Sequence, residues 1–410
     1  MNLIKTIFSI SLFTILLCLI CACKDDDLAT DLDNLENFES FQEEAFSFSS
    51  DEINFNVVDC AMEDDNSIFM VGSSTQFGIT STILKVDSNF NIDFAKDISP
   101  NEQSIFKPMD LIKTNDENFL YCSRVFSDVD IRKFDPVGNL IWNTTIGNPD
   151  IEERGVSITE ISDDNIMVLA DDLESLFTDS CYSLITLNSN GSLISNFKIT
   201  DTDINRMKRI LYSPVDETVL VLGEYGFPGL GSFQTSTKVS KYSLSGELIT
   251  SKIIVEEVDL LFEPSDMKLL SDGNILIYTS SNDRNNPNNP TPQIFKLDPD
   301  LNEIWFLSID DIRVNIIDDI QETTGGDLLI LSKSSTLNDD EFDVILTFLN
   351  KNLEVDWIKS YGSSSSDQGI RLMIGDNQDI IVVGNSNHDA NSETNFNYFI
   401  LKTDSEGVPK

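Results

Sequence analysis

Leu84-Lys85-Val86-Asp87 ends a strand-like apolar run in a polar turn, and the same short segment comes back six times along the chain. It returns as Arg132-Lys133-Phe134-Asp135, Ile185-Thr186-Leu187-Asn188, Ser240-Lys241-Tyr242-Ser243, Phe295-Lys296-Leu297-Asp298, Thr347-Phe348-Leu349-Asn350 and Leu401-Lys402-Thr403-Asp404. The closing turn residues stand 48, 53, 55, 55, 52 and 54 positions apart. Seven units of roughly fifty residues match the length of four-stranded propeller blades. The spacing therefore predicts an all-β fold, a seven-bladed β-propeller of four-stranded antiparallel blades.

Two further columns keep the register. Seven residues past the turn residue stand Phe94, Trp142, Ser195, Thr250, Trp305 and Trp357, so all three tryptophans share one column. Upstream, each second strand ends on a small residue: Gly72, Ser123, Ala170, Gly223, Thr279, Ser332 and Gly384. Small side chains there are expected to let neighbouring blades approach, and the aromatic column to fill the space between sheets near the rim. The b strands are apolar and partly β-branched, as Ile380-Ile381-Val382-Val383. The a–b turns are rich in Asp, Asn and Gly, as in Asp272-Gly273-Asn274.

The seventh unit runs out of chain. Counting seven past Asp404 passes Lys410, so blade seven has no outer strand of its own, and an open edge invites aggregation. Ala45-Phe46-Ser47-Phe48-Ser49 alternates apolar and polar residues and is expected to supply that strand, closing the ring from the N-terminal side. The propeller then occupies 43–410, and residues 23–42, acidic and poor in β-formers, are expected to be a flexible tether. Chain length varies in the b–c loops, which share one face with the d–a connections. Blade four carries Glu224 to Lys238, with Tyr225, Phe227 and Phe233 as candidate ligand-binding side chains. Blade five carries Asn282 to Pro292, rich in Asn and Pro and expected to form neither helix nor strand.

The chain holds 70 acidic and 27 basic residues, a formal net charge of −43, which repels phosphate backbones and argues against nucleic acid as a partner. At 40% hydrophobic residues it is rich enough to build a core. Cys60, Cys122 and Cys181 are an odd set without zinc spacing and read as buried free thiols. The mature chain's one histidine, His388, has no second ligand in sequence reach, and no metal site is assigned. No cofactor is expected. Acid pairs such as Asp310-Asp311, Asp318-Asp319 and Asp339-Asp340-Glu341 could hold calcium, but none has the spacing of a known calcium loop.

Residues 1–22 carry one charge, Lys5, ahead of an apolar run too short to span a bilayer comfortably. They end in Ile20-Cys21-Ala22-Cys23, followed by Lys24-Asp25-Asp26-Asp27. The first group resembles a bacterial lipobox, and the second is similar to the acidic export tag of surface lipoproteins in Bacteroidota. The resemblance implies a lipoprotein signal peptide over 1–22, lipidation of Cys23, and a location on the outer membrane at the cell surface. Several acyl chains are what stable anchoring requires.

Farther along, Trp357-Ile358-Lys359-Ser360-Tyr361-Gly362, then Asp367 and Gly369, then Val383-Gly384-Asn385-Ser386 are similar to a repeat of Bacteroidota envelope propellers. The likeness is sharpest over 357–386, and it implies fold and location, not a reaction. The expected function is binding of a protein or glycan at the cell surface, with no catalysis. The alternative is a carboxylate-based glycan lyase or hydrolase.

Overall fold

The computed structural model describes residues 38–41, 46–48, 55–74, 80–99, 106–147, 152–172, 182–199, 204–226, 235–254, 260–283, 286–309, 314, 316–335, 342–363, 366–387 and 397–410. Among them are 29 strands, one short 3-10 turn at Ser162–Asp164, and no α-helix. The strands assort into seven sheets, six built on antiparallel a–b–c–d meanders and the seventh on an a–b–c meander with an N-terminal outer strand, and the ring of seven blades is the one the turn spacing predicts. The innermost strands a are Phe55–Met62, Phe106–Lys113, Glu153–Glu160, Ile204–Ser213, Leu260–Leu269, Ile316–Glu322 and Asp367–Ile374.

No blade can bury both faces of its sheet alone, so the core lies in the seams. Seven apolar clusters form, one between each pair of neighbours. The cluster that closes the circle joins Phe55, Val57 and Met70 of blade one to Val383, Tyr398 and Ile400 of blade seven. The same seam is stitched by the buried amide of Asn385. It accepts the Val57 N–H at 2.7 Å and donates to the Val57 carbonyl at 2.8 Å.

Closure uses both ends of the chain. Phe46–Phe48 pairs antiparallel with the c strand of blade seven, Phe46 opposite Leu401 and Phe48 opposite Phe399. Beside it, Pro409 bridges Thr403 and the Lys410 N–H reaches the Lys402 carbonyl at 2.9 Å. The outer strand of blade seven is thus shared between the N-terminal segment and the last two residues. Phe38–Phe41, which lies within the stretch expected as tether, forms a strand parallel to Val355–Tyr361 and makes blade six five-stranded.

All seven c–d turns close alike. The turn residue's N–H bonds the carbonyl four residues on: Asp87 to Asn91, Asp135 to Asn139, Asn188 to Ser192, Ser243 to Glu247, Asp298 to Asn302, Asn350 to Glu354 and Asp404 to Val408. The same residue's side chain accepts a backbone N–H back from the turn, as Asp135 does from Val137 and Asn139. An acceptor one or two atoms from Cβ is what this loop needs, which is why Asp, Asn and Ser recur there.

The fourth turn residue is left-handed, and four of the seven are Gly: Gly138, Gly191, Gly246 and Gly407. At each, a Cβ would meet an aromatic ring of the preceding blade's d strand: Phe94, Trp142, Phe197 and Trp357 respectively. Trp142 also donates its indole N–H to the Ser189 carbonyl of the next blade at 3.0 Å. The aromatic column is packing between blades. Blade three fills the place with Phe197, two residues beyond the column's Ser195.

In the small-residue column Ala170 packs in the seam between blades two and three, as expected of a blade-to-blade contact, and two glycines meet a second constraint. Each member stands across from the residue just before a register shift in strand a of its own blade, as Gly72 opposite Val57 and Gly384 opposite Gly369. A Cβ at either glycine would collide with the bulge carbonyl, of Asn56 or of Gln368.

One expectation needs correction: the Asn- and Pro-rich segment of blade five is not irregular. Ile275–Asp283 and Asn286–Leu297 continue as a hairpin, with Ser280 opposite Pro292 and Asp283 opposite Asn286. The d strand pairs with this strand only as far as Gln293, so the missing N–H of the prolines interrupts no ladder on that side.

Candidate functional site

The register shift in strand a recurs in all seven blades, and the residue that follows it lies at the axis. In order these residues are Asp59, Asp110, Ser157, Arg209, Asp266, Asp319 and Arg371: one geometry with three chemistries. The bulge turns each side chain inward and leaves a backbone N–H to be satisfied. Neighbouring side chains satisfy it. Asp59 accepts from Leu111 at 2.8 Å, Asp110 from Ile158 at 2.9 Å, Ser157 from Ile210 at 3.2 Å and Asp319 from Leu372 at 2.9 Å. Each acceptor is one blade behind its donor, so the hub laces the blades together.

The two arginines then cross the channel. Arg371 holds Asp59 through two nitrogens at 2.6 and 3.1 Å and reaches Asp266 at 3.4 Å. Arg209 bonds Asp110 at 2.5 Å and lies 3.2 Å from Asp266. Lys268, two residues below the ring, pairs with Asp319 at 2.6 Å. Four carboxylates are thus shared among three cations, and the ring forms a charged plug across the axis.

Burial pushes the Asp59 carboxyl up, but Arg371, together with Arg209 and the Leu111 N–H, more than offsets it, and the group lies below the usual carboxylate range. Asp110 goes the other way. Burial carries it up to about 6 against Arg209, with the charge of Asp59 adding to the rise. Beside the ring, Asp318 is likewise raised by burial to about 6, opposed by Lys333, whose ammonium is 3.4 Å away. Burial also raises the thiols of Cys60 and Cys122, which keeps both in the neutral, unreactive form.

The two ends of the ring differ. On the a–b and c–d turn face the strands end in short, repeated turns. On the other face, the b–c hairpin of blade four extends past its sheet to Gly226 opposite Thr235, beside the extended hairpin of blade five. Tyr225 lies on that extension, half-buried, with the Lys238 ammonium 5.5 Å from its ring centre. Phe227 and Phe233, the other two candidate side chains, lie outside the described residues, as do Cys23, Cys181 and His388.

Among the described residues no group of three or more His, Cys, Asp or Glu side chains is placed to hold a metal ion. Of the acid pairs considered for calcium, Asp318 turns to Lys333 and Asp319 to Lys268, and the other two lie outside the described residues.

A third constellation escaped the sequence reading. In five blades the lysine of the repeated segment pairs with an acid of its own a–b turn on the turn face, and Lys85 and Lys241 also reach a carbonyl of the next blade. Lys85 bonds Glu63 at 2.6 Å and the Pro136 carbonyl of the next blade at 3.1 Å. Lys133 pairs with Asp116 at 2.6 Å and Lys296 with Asp272 at 2.6 Å. Lys241 pairs with Asp216, and Lys402 with Asp379 at 3.2 Å. The periodicity of the lysine was visible in the sequence, but its partner was not, because the acid moves between positions of the a–b turn.

No protein-family model matches the chain, and no curated protein matches it. Among solved structures, a catalytically inactive virginiamycin B lyase from Staphylococcus aureus, with quinupristin, is 12% identical with a TM-score of 0.57. That match covers 87% of this chain and 98% of the other. An ulvan lyase of polysaccharide lyase family 25, bound to a GlcA–Rha3S repeat, is 10% identical with a TM-score of 0.57, over 88% and 99%. A protein from Lactobacillus plantarum is 12% identical with a TM-score of 0.52, over 74% and 84%. At such identities the likeness is one of fold, and with the seven sheets in hand the chain is a seven-bladed β-propeller.

Proposed function

We propose that this chain is a lipid-anchored surface protein of the outer membrane, held through Cys23, that binds a protein or glycan on its loop face and catalyses nothing. The observation that carries the reading is the asymmetry of the ring. The four hub carboxylates are engaged by cations and backbone N–H groups, so among the described residues the hub offers no unengaged carboxylate pair to flank a glycosidic bond. The hairpins of blades four and five project from one face and carry Tyr225 beside Lys238, an aromatic–cation pair suited to a polar ligand. Anchoring by several acyl chains at Cys23 gives such a face access to large ligands while the protein stays on the cell.

The test is a glycan array probed with the wild type and with Tyr225→Ala lacking 227–234. Binding lost in the variant, without turnover, supports the reading. A companion Cys23→Ala variant should leave the membrane fraction, and its retention there would remove the anchoring part.

The second reading is a glycan lyase or hydrolase. It is favoured by two of the three solved structures above being lyases. New reducing ends or unsaturated uronates released from a bound glycan would establish it in place of the first.

A further inference from the structure

Blade six breaks the lysine pattern. Where five blades have lysine two residues before the turn residue, it has Phe348, and blade three has Thr186. The acid remains. Asp327 is the fifth residue of the a–b turn that Thr323 opens, with the Thr323 N–H bonded to the Asp327 carbonyl. Asp379 holds the same place in the turn of blade seven, and there it receives both Lys402 and Lys410. Asp327 instead accepts the backbone N–H of Lys351 at 2.9 Å on one oxygen, and its other oxygen is 3.5 Å from the Thr323 hydroxyl.

What stands in the place of the lysine arm is a cavity of ≈ 390 Å³ between blades six and seven. Its floor is Leu329, Phe348 and Ile380, and Asp327 and Glu406 are among its polar lining. Phe348 is half-buried and backed by Trp357, the rings stacked at 5.6 Å and 17°.

We propose that this seam binds the ammonium of an alkylamine, the side chain of a lysine on a partner protein, in the place that an internal lysine fills in five other blades. Lys85 and Lys241 show what the position takes: an ammonium between an a–b turn acid and a carbonyl of the next blade's c–d turn. In this seam the acid is Asp327, the c–d turn is the one that carries Ser405 and Glu406, and the stem would lie over the Phe348 ring, where a cation is also attracted to the π-face. The cavity has the size of a small-ligand pocket, and a net charge of −43 draws cations to the surface. The site lies on the turn face, away from the hairpins of blades four and five, and stands or falls separately from the loop-face reading.

Saturation-transfer NMR with the capped peptide acetyl-Gly-Lys-Gly-amide reads it directly, through the lysine methylene signals. The wild type should give a saturable signal that the Nε-acetylated peptide does not. Phe348→Lys, which installs the internal cation, should weaken binding at least tenfold. Asp327→Asn should weaken it severalfold without changing the size of the floor. Thr186→Lys, the same change in blade three, should leave binding unaltered.

n-Butylammonium separates the sources. Binding as tight as that of the peptide means the ammonium arm suffices and a free amine competes, whereas a tenfold preference for the peptide points to a protein lysine alone. No saturable signal with either, equal binding of the acetylated peptide, or undiminished binding by both Phe348→Lys and Asp327→Asn overturns the proposal.

Discussion

The hub and the rim of this ring are both sevenfold, yet they are held by opposite means. At the rim one solution is used seven times: an acceptor side chain closes the c–d turn and a left-handed residue ends it, with a ring from the previous blade packed against the four turns that end in Gly. At the hub one geometry receives Asp, Asp, Ser, Arg, Asp, Asp and Arg. The rim bonds are local, so each turn folds on its own terms. The hub bonds run between blades and across the axis, so each residue depends on several others. Rim substitutions should therefore be mild and alike from blade to blade, and hub substitutions severe and unequal.

The largest effect expected is at Arg371, which compensates the buried Asp59 and reaches Asp266. Arg371→Met keeps apolar bulk but strands a carboxylate with almost no access to water, and breaking a buried pair in this way costs about 3–5 kcal/mol. Arg371→Lys should fall between the two, since an ammonium cannot make the two-pronged contact. Urea unfolding measures both. If Arg371→Met were no worse than a turn substitution at the rim, the contrast between hub and rim would be void.

Next in size is a pH effect beside the hub. Asp318 is raised from 3.8 to about 6, chiefly by burial. Between those values the folded chain holds a proton that the unfolded chain has released, so this group's contribution to stability falls as pH rises. Two units correspond to about 3 kcal/mol at about 1.4 kcal/mol per unit. Asp318→Asn removes the titration. Relative to the wild type, the variant should gain about 3 kcal/mol from pH 4 to pH 7, read by urea titrations across that range. A stability difference that does not change with pH would mean that Asp318 is as well solvated as any surface carboxylate.

The same contrast explains what the sequence disclosed. The rim was legible because each turn demands the same chemistry, so Asp, Asn or Ser reappears at an even spacing, and the tryptophans fall into a column with it. The hub was not, since no residue type repeats there. A positional signal did exist. Each hub residue stands 13 places before the small residue of the next strand, and 14 in blade four, where the a–b turn is longer. Counting back from Gly72, Ser123 or Gly384 finds Asp59, Asp110 and Arg371. The small column was read as a blade-to-blade contact, which Ala170 makes, but the carbonyls of Asn56 and Gln368 that exclude a Cβ at Gly72 and Gly384 leave no mark in the sequence. The seam lysine was periodic too, but a pairing whose acid slides along a turn leaves no fixed spacing to notice.

At the rim, Gly191 offers a direct measure of the packing between blades. Its φ of +79° disfavours any Cβ, and an added Cβ would stand 2.6 Å from the Trp142 ring. Gly326 has φ +83° with nothing within 4 Å, so it carries the conformational cost alone. Gly326→Ala should cost about 1 kcal/mol and Gly191→Ala about 2 kcal/mol or more. The difference reports the Trp142 contact, and equal losses in thermal melts would mean that the indole gives way freely.

The smallest effect tests whether the rim is truly repetitive. The side chain of Asp135 accepts the N–H groups of Val137 and Asn139 at 3.1 and 2.7 Å, and that of Asp404 accepts those of Glu406 and Val408, both at 2.9 Å. Replacing either by Ala removes the acceptor from a solvent-facing turn and should cost about 1 kcal/mol. Replacing either by Asn should cost only a few tenths, because Asn188 and Asn350 already close the same turn in blades three and six. The magnitude should match at the two sites even though Asp404 borders the closure of the ring and Asp135 does not. A loss at Asp404 several times that at Asp135 would mean that the last turn also holds Pro409 and Lys410 in place, and that the rim of blade seven behaves as part of the closure instead of as one of seven equals.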